Sequence, residues 1–201
     1  MNISYKDING NINKALYNDI SKKDKKFKES IIDIDFGYYS QRGSPEKDEL
    51  PVDIIDFPNL TKISFTYGYL YNIDILYKCF ALLELKLCHN TIQSINYLPI
   101  NLKKLHLYNG SSTNLINRVK YDYLPNKIEK LTLSIDKYKI DKLPVNLQIC
   151  DLSIWNYNNV DNVPLNMKEL VLFVHQKSQK HYIQLPIRIP LLIINGINYL
   201  N

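Results

Sequence analysis

Apolar residues recur along this chain in a frame that becomes visible when LPINLKKLHL, LPNKIEKLTL and VPLNMKELVL are placed beneath one another. The shared frame is LPxxLxxLxL, with polar or charged residues at most of the open positions. Taking the first leucine of LxxLxL as an anchor selects Leu60, Leu82, Leu102, Ile128, Leu147, Met167 and Ile189, separated by 22, 20, 26, 19, 20 and 22 residues. The two inner positions of each unit hold Ile63 and Phe65, Leu85 and Leu87, Leu105 and Leu107, Leu131 and Leu133, Cys150 and Leu152, Leu170 and Leu172, and Leu192 and Ile194. Only Cys150 is not a hydrocarbon side chain, and a buried thiol packs as a small hydrophobe.

Proline gives a second periodicity. Pro99, Pro125, Pro144, Pro164 and Pro186 each stand three residues before an anchor, behind Leu98, Leu124, Leu143, Val163 and Leu185. Proline lacks an N–H and has a fixed φ, so it suits the residue just outside a strand. Alternation within LxLxL predicts a short strand with its apolar side chains on one face. A unit of about 20 residues cannot bury its own leucines, so the units must stack, with parallel strands lining a concave face. The expected fold is a repeat solenoid of about seven units over residues 51–201, preceded by a capping segment over residues 1–50. The connecting stretches, such as NTIQSINYLP with Ile92, Ile95 and Leu98 or NYNNVDNVP with Val160 and Val163, are short and rich in asparagine. They predict turns and irregular or 3₁₀ structure on the convex side.

The stretch LLELKLCHNTIQSINYLP, residues 82–99, resembles a full leucine-rich repeat of the LxxLxLxxNxIxxIxxLP kind. The other units are similar to two LP-bearing relatives, the LPX-type repeats of bacterial secreted effectors and the FNIP repeats of amoebal and giant-virus proteins. The resemblance spans about residues 57–195 and implies a leucine-rich-repeat solenoid. The asparagine after LxLxx stands only at Asn90, with Gly68, Gly110, Asp136, Trp155 and His175 in its place elsewhere, and no literal FNIP tetrapeptide occurs. An asparagine there would bond neighbouring loop backbones, so its loss predicts loops held by side-chain contacts or water.

Before the repeat, INKALYNDISKKDKKFKES places Leu16 and Ile20 at helical spacing and follows them with Lys22, Lys23, Lys25, Lys26 and Lys28. It predicts a capping helix with a basic end, read either as a solvated face covering the solenoid or as a nucleic-acid or nuclear-targeting patch. IIDIDF, residues 31–36, copies the strand spacing as a candidate first strand, and residues 41–49 predict a polar loop. ELPVDIIDF has a faint likeness to the opening of an F-box, but FPNLTKISF begins a strand unit where further helices would be required.

Composition narrows the function. A net charge of +5 and a pI near 8.9 favour acidic partners without the dense cationic footprint of a nucleic-acid binder. Three cysteines without CxxC spacing predict reduced thiols and a cytoplasmic protein, in a host cytoplasm were the source viral. No apolar run reaches the ~18 residues of a spanning helix, so no membrane partner is expected. His89, His106, His175 and His181 sit in no catalytic or metal-binding frame, and no glycine-rich phosphate loop occurs, so neither enzyme, cofactor nor metal is expected. Cys88 and His89 are strand neighbours whose side chains point to opposite faces. Trp155 is read as a loop-filling residue or a contact at the rim.

The outward strand positions are left as the candidate site. They present Lys62, Lys86, Lys104 and Lys130 with His106 and Tyr108 in the first four units, then Val171, Phe173, Leu191 and Ile193 towards the end. A basic surface followed by an apolar one fits an acidic protein partner with a hydrophobic anchor. The expected function is a non-enzymatic protein-interaction module, with a ubiquitin-ligase substrate receptor and a weak nucleic-acid binder as alternatives. The short tail NGINYLN after Ile194 predicts self-association or a partner contact over residues 171–200, unless Ile197, Tyr199 and Leu200 fold back as a small cap.

Overall fold

Each strand of the repeat begins at the same turn. In the computed structural model, which describes residues 2–37, 48–66, 70–88, 95, 97–108, 124–135, 143–154, 163–174, 189–194 and 197–199, six anchor N–H groups donate to the carbonyl three residues earlier. Leu60 bonds Phe57 at 3.2 Å and Leu82 bonds Cys79 at 3.0 Å, while Leu102, Ile128, Leu147 and Met167 bond Pro99, Pro125, Pro144 and Pro164 at 3.1 Å. Proline fits because its carbonyl closes the turn and its missing N–H leaves no donor to satisfy.

These turns are tied to one another by asparagine. Just before the anchor, the Asn59 amide donates to the Glu29 carbonyl at 2.7 Å, Asn101 to Phe80 at 2.9 Å and Asn146 to Asn126 at 2.9 Å. Lys127 takes the same frame position and donates to Asn101 Oδ1 at 2.7 Å. The asparagines that link units therefore stand at strand starts, whereas the sequence pointed to the far side of the strand, where Asn90 and its replacements lie outside the described residues.

The chain opens with a hairpin of β1 (Asn2–Asp7) and β2 (Ile12–Leu16), then forms short helices α1 (Tyr17–Ser21) and α2 (Lys25–Ser30). Strand β3 (Ile31–Asp35) follows, and a small separate pair of β4 (Asp48–Glu49) and β6 (Leu70–Asn72) flanks β5 (Lys62–Phe65) in sequence. The remaining rungs are β7 (Glu84–Cys88), β8 (Lys104–Tyr108), β9 (Lys130–Ile135), β10 (Ile149–Ile154), β11 (Glu169–Val174) and β12 (Leu191–Ile194). From β3 to β12, skipping β4 and β6, the strands lie side by side in parallel, so the fold is a parallel-strand repeat solenoid with few helices. From β5 to β11 one carbonyl per rung receives two N–H groups of the next, as Leu83 does from Lys103 and Lys104 at 2.9 Å and Lys103 from Glu129 and Lys130 at 2.8 and 3.0 Å. That shared acceptor locks the register.

Register aligns the inward positions into rows. Ile34, Ile63, Leu85, Leu105, Leu131, Cys150, Leu170 and Leu192 form one, all buried, and Cys150 is 0% exposed in a leucine's place. At the N-terminal end Phe36 stacks on Phe65 with centroids 4.3 Å apart, beside buried Tyr17, whose hydroxyl donates to Asp53 Oδ1 at 2.9 Å. Two 3₁₀ turns, Val52–Asp56 and Asp74–Lys78, bring Ile54 and Leu76 into the core from the opposite side.

The N-terminal end departs from the sequence expectation, whereas the C-terminal end takes the fold-back that was its stated alternative. Residues 12–16 form a strand where a capping helix was expected, because the exposed edge of β3 needs backbone partners, which β1 supplies in antiparallel register while β2 covers β1 in turn. Of the pair at helical spacing, only Ile20 is buried and Leu16 is 46% exposed. Lys22, Lys23, Lys25 and Lys26 are exposed, and Lys28 pairs with Asp56 at 2.9 Å. IIDIDF is the first parallel rung and pairs with β5, so the main sheet includes residues of the expected capping segment. At the other end β13 (Ile197–Tyr199) folds back antiparallel on β12, so the ladder groups of β12 are paired.

Candidate functional site

Two outward rows cross the sheet. The first runs Asp33, Lys62, Glu84, Lys104, Lys130, Ile149, Glu169, Leu191, and the second Asp35, Ser64, Lys86, His106, Thr132, Asp151, Val171, Ile193. The four lysines expected to form a stripe thus share a face but not a row, since Lys86 stands in the second. Neighbouring rungs are ~4.8 Å apart, so side chains in one row touch or repel directly.

Acids interrupt the basic row. Lys62 reaches Asp33 at 3.7 Å and Glu84 at 3.6 Å, and Glu84 is shared with Lys104 at 3.6 Å. This ladder links four rungs, though partly exposed pairs contribute only ~0–1 kcal/mol each. Among the described residues Lys86 and Lys130 make no ion pair, so the uncompensated charge lies over β7 to β9. Asp33 has one carboxylate oxygen buried without a hydrogen-bond partner, and burial raises its pKa despite Lys62.

His106 stands among these lysines, with Nδ1 3.1 Å from Thr132 Oγ1. Burial holds its pKa below the ordinary imidazole value; Glu84 opposes this, while Lys130, Lys86 and Lys104 reinforce it. At neutral pH the ring is a polar hydrogen-bonding group more than a cation. Tyr108 pairs with Cys88 across β7 and β8 and is 46% exposed.

Beyond β9 the face becomes acidic and then apolar. Burial, and next Glu169, raise the pKa of Asp151, with Lys130 opposing. Val171, Leu191 and Ile193 are half-buried and Phe173 is 44% exposed, so the apolar group remains accessible although β13 covers the backbone edge. Asp33 and Asp35 escaped the sequence reading of this face, although IIDIDF carries both in the outward positions of the frame.

Burial raises all three thiols, Cys79 to about 11, with Cys150 and Cys88 also above the ordinary value, so none is a thiolate at neutral pH. Among the described residues no group of three His, Cys, Asp or Glu is placed to hold a metal, and no helix is long and apolar enough to cross a membrane. His89, Trp155, His175 and His181 lie outside the described residues, as does most of the 41–49 loop. Comparison with known proteins gave no matching family model and no matching curated sequence.

Proposed function

We propose that the chain is a leucine-rich-repeat-type solenoid that acts as a non-enzymatic interaction module, binding a protein through the outward face of its parallel strands. One observation carries this reading: a single in-register face carries Lys86 and Lys130, which make no ion pair among the described residues, and, from two rungs beyond Lys130, the accessible apolar group of Val171, Phe173, Leu191 and Ile193. A partner with an acidic stretch and an apolar anchor complements both halves. Nucleic acid fits less well, because Asp33, Glu84, Asp151 and Glu169 lie among the lysines and would face phosphates. Parallel strands recurring in register at intervals of about 20 residues support the leucine-rich-repeat type. Free cysteines that hold their protons suit the reducing cytoplasm.

Affinity enrichment tests the reading with two double variants, Lys86→Glu with Lys130→Glu and Phe173→Asp with Ile193→Asp, beside a control, Lys22→Glu with Lys25→Glu. Each strand-face variant should weaken the same partner by about tenfold or more with the far-UV spectrum unchanged, the size expected for central contacts. The control should keep it. A partner held equally by all three variants would remove the strand face as the binding site.

A further inference from the structure

The turn that starts each rung leaves one side chain pointing away from the core. Two residues before the anchor stand Pro58 in the first of the six turns and, in the next five, Phe80, Ile100, Asn126, Val145 and Leu165. Four of these five are large hydrocarbons, yet Phe80 is 66% exposed, Ile100 68%, Val145 55% and Leu165 88%. Scattered exposed hydrophobes are ordinary, but these share one position of one recurring turn. The strands behind them are in register, so the five tips follow one edge of the sheet over about 20 Å at ~4.8 Å per rung.

The surroundings of the tips decide what they fit. Asn101 and Asn146 are bonded to the carbonyls of Phe80 and Asn126, and Lys127 to Asn101, so polar groups border the line closely. Exposed Tyr77 and Tyr97, with ring centroids 6.4 Å apart, precede Phe80 and Ile100 by three residues, so aromatic surface of the kind that sits at headgroup level flanks the line at its first two rungs, while Asn126 interrupts it at the third. Lys103, Lys127 and Lys168 are exposed on the same turns against one carboxylate, Glu129, which Lys103 already meets at 3.0 Å. A flat layer, apolar inside and anionic at its surface, accepts isolated apolar tips while lysines and asparagines stay at headgroup level. The tips sit on turns already closed by backbone hydrogen bonds, so docking orders little.

We propose that this edge rests on an anionic lipid bilayer, with Phe80, Ile100, Val145 and Leu165 inserted at the acyl boundary and Lys127 and Lys168 against lipid phosphates. This mode needs no spanning helix, so the chain carries it without a long apolar run. It leaves the outward strand face free, and is independent of the partner proposed for that face.

Cosedimentation of the full chain with phosphatidylcholine vesicles containing about 30% phosphatidylserine at low salt tests the proposal. The wild type should bind, several-fold more weakly to phosphatidylcholine alone, and Ile100→Ser with Leu165→Ser should reduce binding at least tenfold with melting unchanged. Lys86→Glu with Lys130→Glu should retain binding. The proposal is overturned by a wild type that stays in the supernatant, by a serine double variant that binds like the wild type, or by loss of binding in the strand-face variant. A concentration-dependent dimer in sedimentation velocity that the serine substitutions abolish, without vesicle binding, would overturn it in favour of a second copy.

Discussion

Leu165 and Leu170 belong to the same rung and are chemically identical, but one is 88% exposed at a turn tip and the other 0% exposed in the inward row between Cys150 and Leu192. Truncating Leu170 to alanine removes hydrocarbon from a closed site and leaves a cavity that the neighbouring rungs, held by their shared-carbonyl ladder, collapse into only partly. The expected cost is about 2–5 kcal/mol. Leu165→Ala removes atoms that were already in water, so the change should stay within about 0.5 kcal/mol. Urea unfolding followed by far-UV circular dichroism measures both. A solenoid contacts only its nearest rungs, so a fall in the denaturant slope with Leu170→Ala would report early loss of the C-terminal rungs, and Leu105→Ala in mid-array is the check on that. Losses below about 1 kcal/mol at Leu170, or equal losses at both positions, would mean that the frame is assigned to the wrong faces.

Two further outcomes follow from the turns and the outward rows. Asn101→Ala removes the bond to the Phe80 carbonyl and the acceptor of Lys127, and should lower stability by about 0.5–1.5 kcal/mol in the same urea assay; no change would show that water replaces both bonds without cost. For Asp151, burial and Glu169 raise the folded pKa above 3.8, so the folded chain holds this proton more tightly than the unfolded one and ionisation opposes folding as pH rises through the folded pKa. Asp151→Asn should therefore raise the melting temperature at pH 7, with the gain lost below pH 3.8, and a destabilised variant at pH 7 would contradict the environment described.

The linear chain determined the solenoid. Inward rows repeat because apolar residues at fixed offsets from an anchor can be buried only by stacking, and the proline before five of the seven anchors marked where the strand begins, so Leu105, Leu131 and Leu170 were legible as core without coordinates. The lysines and apolar residues of the outward face were legible for the same reason, as the complement of the buried positions. Tertiary structure decided what the frame leaves open. Lys62 meets Asp33 and Glu84 only because register places distant segments side by side, which turns an expected basic stripe into an alternating ladder. The strand at residues 12–16 exists because β3 presents an edge that must be paired, a demand made by the sheet and invisible in the local spacing of Leu16 and Ile20. The row of exposed hydrocarbons from Phe80 to Leu165 sits at open positions of LPxxL. A sequence pattern records which residues recur, whereas exposure depends on which side of a turn faces the core, and only the closed chain sets that.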